Sequence, residues 1–367
     1  RTVMCDALHV VGAEHRIGKG IRETFRHTTD SVVSLWEGVE MLEFLLDKLE
    51  KCVPKWIRNR LEDAKEVLKC FCSSDEKYVC YLQFDTEQLP ILCAASWEIP
   101  KLLQKMLWDR EEGISAILTS GTLKAGAGFL RTRQITGLER RAGVQEYVAE
   151  SPFSYERNCL LYLPKTLEHC RRGSREEAVM VANHIHSLIC STYGHTLVLF
   201  TSYTLMGSVY QILRDSLPFP MVKVWRHSQE EILRFKTMEN GVLFAAGSCW
   251  EGVDFPGDMV SSLIIVKLPF AVPDPISEAE KETYDSLETY IQSIIVPDMQ
   301  KKLRQGFGRA IRTETDTCVV SILDIRAVKG GKYHEDVMCA LPSCRIAEEL
   351  REVQDFIRSR KGVEYYL

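Results

Sequence analysis

The sequence has no run of about 18 consecutive apolar residues, the length a helix needs to cross a bilayer, so no membrane-spanning helix is expected. It has no excess of positive charge: 46 Lys and Arg against 51 Asp and Glu leave a net charge of −5. Binding of nucleic acid through total charge is thereby excluded, and any such contact has to rest on a local basic patch. No internal repeat and no low-complexity segment interrupts the chain. No secretory leader pattern precedes the 13 cysteines, which are scattered and odd in number, so a disulfide scaffold is not expected. Cys70 and Cys72 are too close for a C-x-x-C site, and Cys339 and Cys344 lack a partner pair. Reduced thiols in a cytoplasmic protein are the expectation.

What is present is ordinary globular material. The 367 residues are 45% apolar and 26% charged, enough for two or three domains with a sizeable core. The chain opens on Arg1 and runs straight into "ALHVVG", which reads as a strand joined in mid-domain, so a piece of a longer protein is expected. Residues 1–20 read as strand then loop, and residues 21–112 as mostly helical. Leu35, Val39, Leu42, Leu45, Leu46 and Leu49 recur at helical spacing, and Pro54 sits near the start of a second helix. "KYVCYLQFD" alternates as a strand does, and "EIPKLLQKMLWDREEG" reads as a helix stopped by Gly113.

After that the texture changes. "ISAILTSGTL", "NCLLYLP", "HTLVLFTS", "GVLFAAGSCWEGVDFPG", "SSLIIVKLPF" and "TCVVSILD" are short continuous apolar runs ending in small or polar residues. Helical stretches lie between several of them, at 174–192, 203–216 and 283–305. Continuous apolar strands alternating with helices predict an α/β fold, a parallel sheet covered on both faces. Ligands of such sheets sit at the carboxyl ends of the strands, where the polar punctuation falls.

Three of these ends carry candidate chemistry. Thr201 and Ser202 precede a helix and either contact phosphate oxygens or simply cap that helix. In "GSCWEGVDFPGD", Gly252 permits close backbone approach to a ligand, with Glu251 and Asp254 as carboxylates beside it. The alternative there is a tight turn capped by Asp. "ILTSGTL" ends what reads as a buried strand in Thr119, Ser120 and Thr122. The strongest signal is "KLRQGFGRAIRT". Taken as a helix, it places Gln305, Gly308, Arg309 and Arg312 on one face. Residues 301–312 hold Lys301, Lys302, Arg304, Arg309 and Arg312 and no acid. The arginine fork matches phosphate oxygens and stabilises charge on a transferred phosphoryl group.

Gln305-x-x-Gly308-Arg309-x-x-Arg312 resembles motif VI of superfamily 2 helicases. "WEGVDFPGD" resembles motif V of the DinG/XPD-like branch, "LVLFTS" motif IV, "TSGTL" motif III, and "KLPFAVPDP" the loop after motif V. Order and spacing agree over residues 114–345, and the chain is similar to the C-terminal part of a bacterial DinG-type ATP-dependent DNA helicase. The resemblance implies the end of helicase domain 1 at 1–20 (the motif II region) and 113–150. It further implies a helical arch-like insert at 21–112, a RecA-like lobe at 151–345 and a C-terminal helix or tail at 346–367.

It also implies roles. Gln305, Arg309 and Arg312 would be catalytic; Gly252, Asp254, Glu251 and Gly308 would serve the nucleotide; Thr201, Ser202, Thr122 and Arg304 would hold DNA. Arg131, Arg133, Arg140 and Arg141 either join that track or form a surface loop. The cofactors implied are ATP and Mg2+, and the partner is single-stranded or forked DNA, held by a monomer or by a chain completed with an N-terminal helicase lobe. Two departures stand out. No G-x-x-x-x-G-K-[ST] occurs, and "GAEH" (12–15) replaces D-E-A-H, leaving Glu14 alone as a candidate metal ligand. The four-cysteine iron–sulfur insert of some relatives has no counterpart here. Phosphate contacts imply weak base preference and steep salt dependence.

Overall fold

A computed structural model describes residues 22–25, 28–49, 53–73, 76–84, 90–110, 115–125, 128–225, 229–250, 252–255 and 257–366. The chain forms two compact units. One takes in Arg1–Ala116, Arg133–Ala142 and Val272–Ile291, the other Ile117–Thr132, Gly143–Ala271 and Gln292–Leu367.

In the first unit β1 (Arg22–Thr24), β2 (Tyr78–Phe84) and β3 (Pro90–Ser96) form an antiparallel sheet in the order β1-β2-β3. Two long helices, α1 (Thr29–Leu49) and α2 (Lys55–Cys72), supply the rest of its core. Of the leucine stripe, Leu35, Val39 and Leu42 are buried with Leu68, Phe71, Leu82 and Phe84, while Leu45 and Leu46 are only partly buried. Pro54 is the N-cap of α2. This unit is mostly helical, but the reading of residues 21–112 passed over β3. "PILCAAS" is partly buried and does not alternate cleanly, so the period-2 signal is weak there.

The second unit is built on seven parallel strands: β4 (Cys159–Tyr162), β5 (Thr196–Phe200), β6 (Met221–Lys223), β7 (Val242–Ala246), β8 (Ser262–Ile265), β9 (Cys318–Ile322) and β10 (Arg345–Ala347). Their order is β10-β4-β9-β8-β5-β7-β6. Its helices include α3 (Arg175–Ser191), α4 (Tyr203–Leu213), α5 (Val296–Phe307), α6 (His334–Ala340) and α7 (Leu350–Arg360). Strand side chains alternate between faces. Val198, Phe200, Phe244 and Ile264 join Ile185, Leu188, Val209 and Phe356 in one core cluster. Leu199 turns the other way, toward Trp250 and α5. The chain leaves β5 for β6 and β7 on one side, then crosses to β8 on the other. That reversal puts the ligand-taking crevice of an α/β sheet at the carboxyl end of β5.

Several expectations need correction. Residues 117–123 are not a buried strand: 117–120 have no regular structure, 121–123 form a turn and bend, and Ile117 is 92% exposed. Residues 272–291 pack with the first unit, not with the sheet. There Pro275–Glu282 starts on a capping box between Asp274 and Ser277. The break at 345/346 falls inside β10, and the segment after it forms the helix α7, which buries Val353, Phe356 and Ile357. β6 and β10 were missed because they are three-residue edge strands with mixed polarity.

Helix α5 packs through Gly306. A Cβ there would lie 2.7 Å from both Cε3 and Cζ3 of Trp250, whose ring is fully buried. At Gly308 an added Cβ would meet only the carbonyls of Arg304 and Gln305, at 3.4 Å. Gly306→Ala is therefore expected to destabilise the fold by about 1–3 kcal/mol through overpacking, and Gly308→Ala by much less. Urea unfolding of the two variants checks this, and equal losses would contradict it.

Candidate functional site

Helix α5 stops at Phe307, and the helical face drawn through Gln305, Gly308, Arg309 and Arg312 is not what forms. Gly308 is the C-cap, and a tight turn follows in which Arg309 N–H donates to the Gly306 carbonyl and Ala310 N–H to that of Phe307. Buried Asp316 then arrests the chain. Its carboxylate accepts from Arg312 N–H at 2.8 Å, Thr313 N–H at 2.9 Å and Thr313 Oγ1 at 2.6 Å. Three donors satisfied by one carboxylate prevent the helix from running on.

The turn still brings the two arginines together. Arg309 and Arg312 both donate to the Val253 carbonyl, the latter at 3.2 Å, and Arg312 Nε lies 3.1 Å from Asp254 Oδ1. Val253 belongs to the segment after β7, where Gly252 has φ +73°. That left-handed conformation, rather than crowding, is what requires glycine, since a Cβ at Gly252 would meet nothing. The carboxylate of Asp254 is 69% exposed, so the ion pair with Arg312 is weak on its own and easily exchanged.

Gln305, Gly308, Arg309 and Arg312 line one cleft of about 1150 Å³, together with Thr122 and Arg304. Gln305 Nε2 donates to Thr122 Oγ1 at 3.5 Å. Arg304 is taken up structurally: Nε donates to the Ala340 carbonyl at 3.0 Å and an Nη to that of Lys124 at 2.6 Å. Burial draws its pKa below the ordinary arginine value. Two of its five N–H donors are thus held by backbone carbonyls, which fixes Arg304 in place at the edge of the cleft.

Thr201 and Ser202 lie elsewhere, at the carboxyl end of β5. Ser202 Oγ caps α4 by accepting from Leu205 N–H at 3.4 Å, and Thr201 is exposed. Arg133 and Arg141 are tied to the carbonyls of Leu138 and Arg141 and to Asp109 in the first unit. Glu14 and Glu251 lie outside the described residues. Among the described residues no group of three His, Cys, Asp or Glu side chains is placed to hold a metal ion.

The reading of residue types missed the parts that hold the site. Trp250 N–H donates to the Phe200 carbonyl at 3.0 Å. Asp324, at the end of β9, accepts from Leu268 N–H at 2.9 Å and from the Arg326 guanidinium at 2.7 Å. It thereby fixes the start of the "KLPF" loop. Thr313-x-x-Asp316 carries a turn-capping signature that could have been read; the Trp250–Gly306 contact carries none.

Residues 185–344 match the family described as Helicase C-terminal domain. The chain is 28% identical to the ATP-dependent DNA helicase YoaA of Haemophilus influenzae, over 94% of this chain and 54% of that one. It is 32% identical to the ATP-dependent DNA helicase DinG of Photobacterium profundum, over 70% and 38%. With the 3'-5' exonuclease DinG of Bacillus subtilis it shares 28% identity over 76% and 31%. The chain thus spans between about a third and a half of the curated relatives it matches. Among solved structures, S. tokodaii Xpd4 superposes with a TM-score of 0.59 at 17% identity, covering 94% of this chain and 66% of that one. That likeness establishes the fold.

Burial pushes the Asp324 carboxyl up, but Arg326 and the Leu268 amide outweigh it and hold the pKa below the ordinary aspartate range. A depressed folded pKa adds stability above the unfolded value of about 4, and that stability is lost as pH falls through the folded value. Asp324→Asn should cost about 1–3 kcal/mol near neutral pH, from weakened bonds to buried donors, and should flatten the acid limb below about pH 4. Urea midpoints across that range test it, and parallel wild-type and variant curves would contradict it.

Proposed function

We propose, from the premise that this chain is the C-terminal region of a DinG/XPD-like superfamily 2 helicase, that it is the strand-moving half of a DinG-type ATP-dependent DNA helicase. The observation that carries the reading is the convergence of Gln305, Arg309 and Arg312 in one cleft, with both guanidiniums anchored from behind on Val253. Each guanidinium is a planar fork of five N–H donors. Such a pair suits the γ-phosphate of a nucleoside triphosphate.

In this reading Arg309 and Arg312 neutralise charge on the transferred phosphoryl group, and Gln305 contacts the γ-phosphate or the attacking water. Asp254 pairs with Arg312 when the phosphate is away, and Gly252 gives that segment the bend that presents the Val253 carbonyl. Thr201, Ser202 and Thr122 hold backbone phosphates of a single strand. Hydrolysis alternates the grip and moves the strand. The binding partner is single-stranded or forked DNA, in the cytoplasm, and the unit works as a monomer completed by a second lobe that cradles the phosphates. Mg2+ would supply charge neutralisation at the β- and γ-phosphates. The described residues do not fit it, so no step here runs through a metal.

A second reading, a helicase-like binding module without catalysis, is favoured by Gly12 and Ala13 standing where the family has two acids. Turnover separates the two. In the native polypeptide that carries this chain, Arg309→Ala should lower DNA-stimulated ATP hydrolysis by about 10³-fold or more while single-strand affinity without nucleotide is kept. Unchanged turnover contradicts the arginine's role. No turnover in the wild type, with DNA binding intact, supports the binding module.

A further inference from the structure

Beyond the candidate cleft, a second group of side chains sits at the carboxyl end of the sheet near its β6 edge. The strand register continues past Lys223, with Val224 N–H donating to the Phe244 carbonyl at 2.9 Å. Val224 is buried, so Lys223 and Trp225 share the opposite face. Trp225 is 50% exposed, a large indole left half in water. It is nonetheless held. The Tyr203 ring lies 5.1 Å from it at 52°, and the Lys223 ammonium is 5.8 Å from the indole and 4.8 Å from the Tyr210 ring.

Tyr203 is itself pinned. Its hydroxyl donates to the Ala246 carbonyl at 3.4 Å, and a Cβ on Gly247 would come within 2.7 Å of that hydroxyl. Tyr203 and Tyr210 are seven residues apart on α4, hence on one face of it. The result is a rigid aromatic shelf beside a lysine, directly after exposed Thr201. An apolar ring fixed in orientation, open on one side and flanked by a cation, is the arrangement on which a nucleobase stacks while its phosphate meets the charge. A purely structural tryptophan would be expected to turn its ring into the core.

We propose that Trp225, backed by Tyr203 and Lys223, is a base-stacking subsite for single-stranded DNA. The proposal rests on the reading of the chain as a DNA-strand motor and adds a contact to bases where that reading has only phosphates. Stacking tolerates any base, so the subsite adds affinity without sequence preference.

The test is fluorescence anisotropy of the 367-residue chain with labelled oligothymidylate and with an abasic deoxyribose-phosphate strand of the same length. The wild type should bind oligothymidylate about tenfold more tightly, as expected for one stacked base. Trp225→Ala should lose that factor and bind both strands alike, and Trp225→Phe should restore most of it. Urea midpoints matching the wild type would show that the fold survives. If the wild type binds both strands and Trp225→Ala changes neither, the stacking subsite is overturned and the strand-motor reading stands. If the wild type binds neither strand, both are overturned.

Discussion

Trp250 sits between the parallel sheet and helix α5. Its indole N–H is tied to the Phe200 carbonyl at the end of β5, and Cε3 and Cζ3 of its ring lie where a side chain at Gly306 would otherwise go. Two constraints meet in this contact. The hydrogen bond satisfies a buried donor that would otherwise cost about 1–3 kcal/mol, and the glycine lets the helix backbone approach the ring. Helix α5 is thereby seated against the carboxyl end of the central strand. Where it ends, and which way Gln305 and the following turn face, depends on that seat.

From there the site is a series of pins. Gly308 ends the helix, Asp316 stops the chain from continuing it, and Val253 receives both guanidiniums. Val253 is presented by a left-handed Gly252 and a buried Phe255 packed edge-on against Phe235. Arginines held this way keep their donors oriented before a ligand arrives, which is how electrostatic stabilisation avoids reorganisation during reaction. The exposed Asp254 is the partner most easily exchanged for a phosphate. Asp324 does similar work one strand further on, fixing the loop after β8 through the Leu268 amide.

Much of this was legible in residue order. The central strands announce themselves as apolar runs because they are buried on both faces, and Leu35, Val39 and Leu42 mark a helix because one stripe of it is buried. Gln305, Arg309 and Arg312 stand out by type, an amide and two arginines in a stretch (301–312) that holds no acid, and they line one cleft. Their geometry was not legible. Helical spacing can be drawn through Arg312 in "GFGRAIRT", but the helix ends at Gly308, and the Asp316 carboxylate, bonding backward to Arg312 and Thr313, holds the following chain in a turn. "ILTSGTL" has the composition of a buried strand but forms no ladder, and composition cannot report the absence of a neighbour. Ser202 Oγ caps α4 by accepting from Leu205 N–H. Gly306 was passed over for Gly308, since only the fold brings Trp250 beneath it.

The central claim is that the Gln305–Arg309–Arg312 cleft recognises the terminal phosphate of a nucleotide. The most direct measurement is the affinity of the native polypeptide for a non-hydrolysable ATP analogue against ADP, in the wild type and in the Arg309→Ala, Arg312→Ala double variant. The wild type should prefer the triphosphate, and the double variant should lose this preference while its ADP affinity is kept. A preference that survives both substitutions would place the terminal phosphate elsewhere and contradict the account.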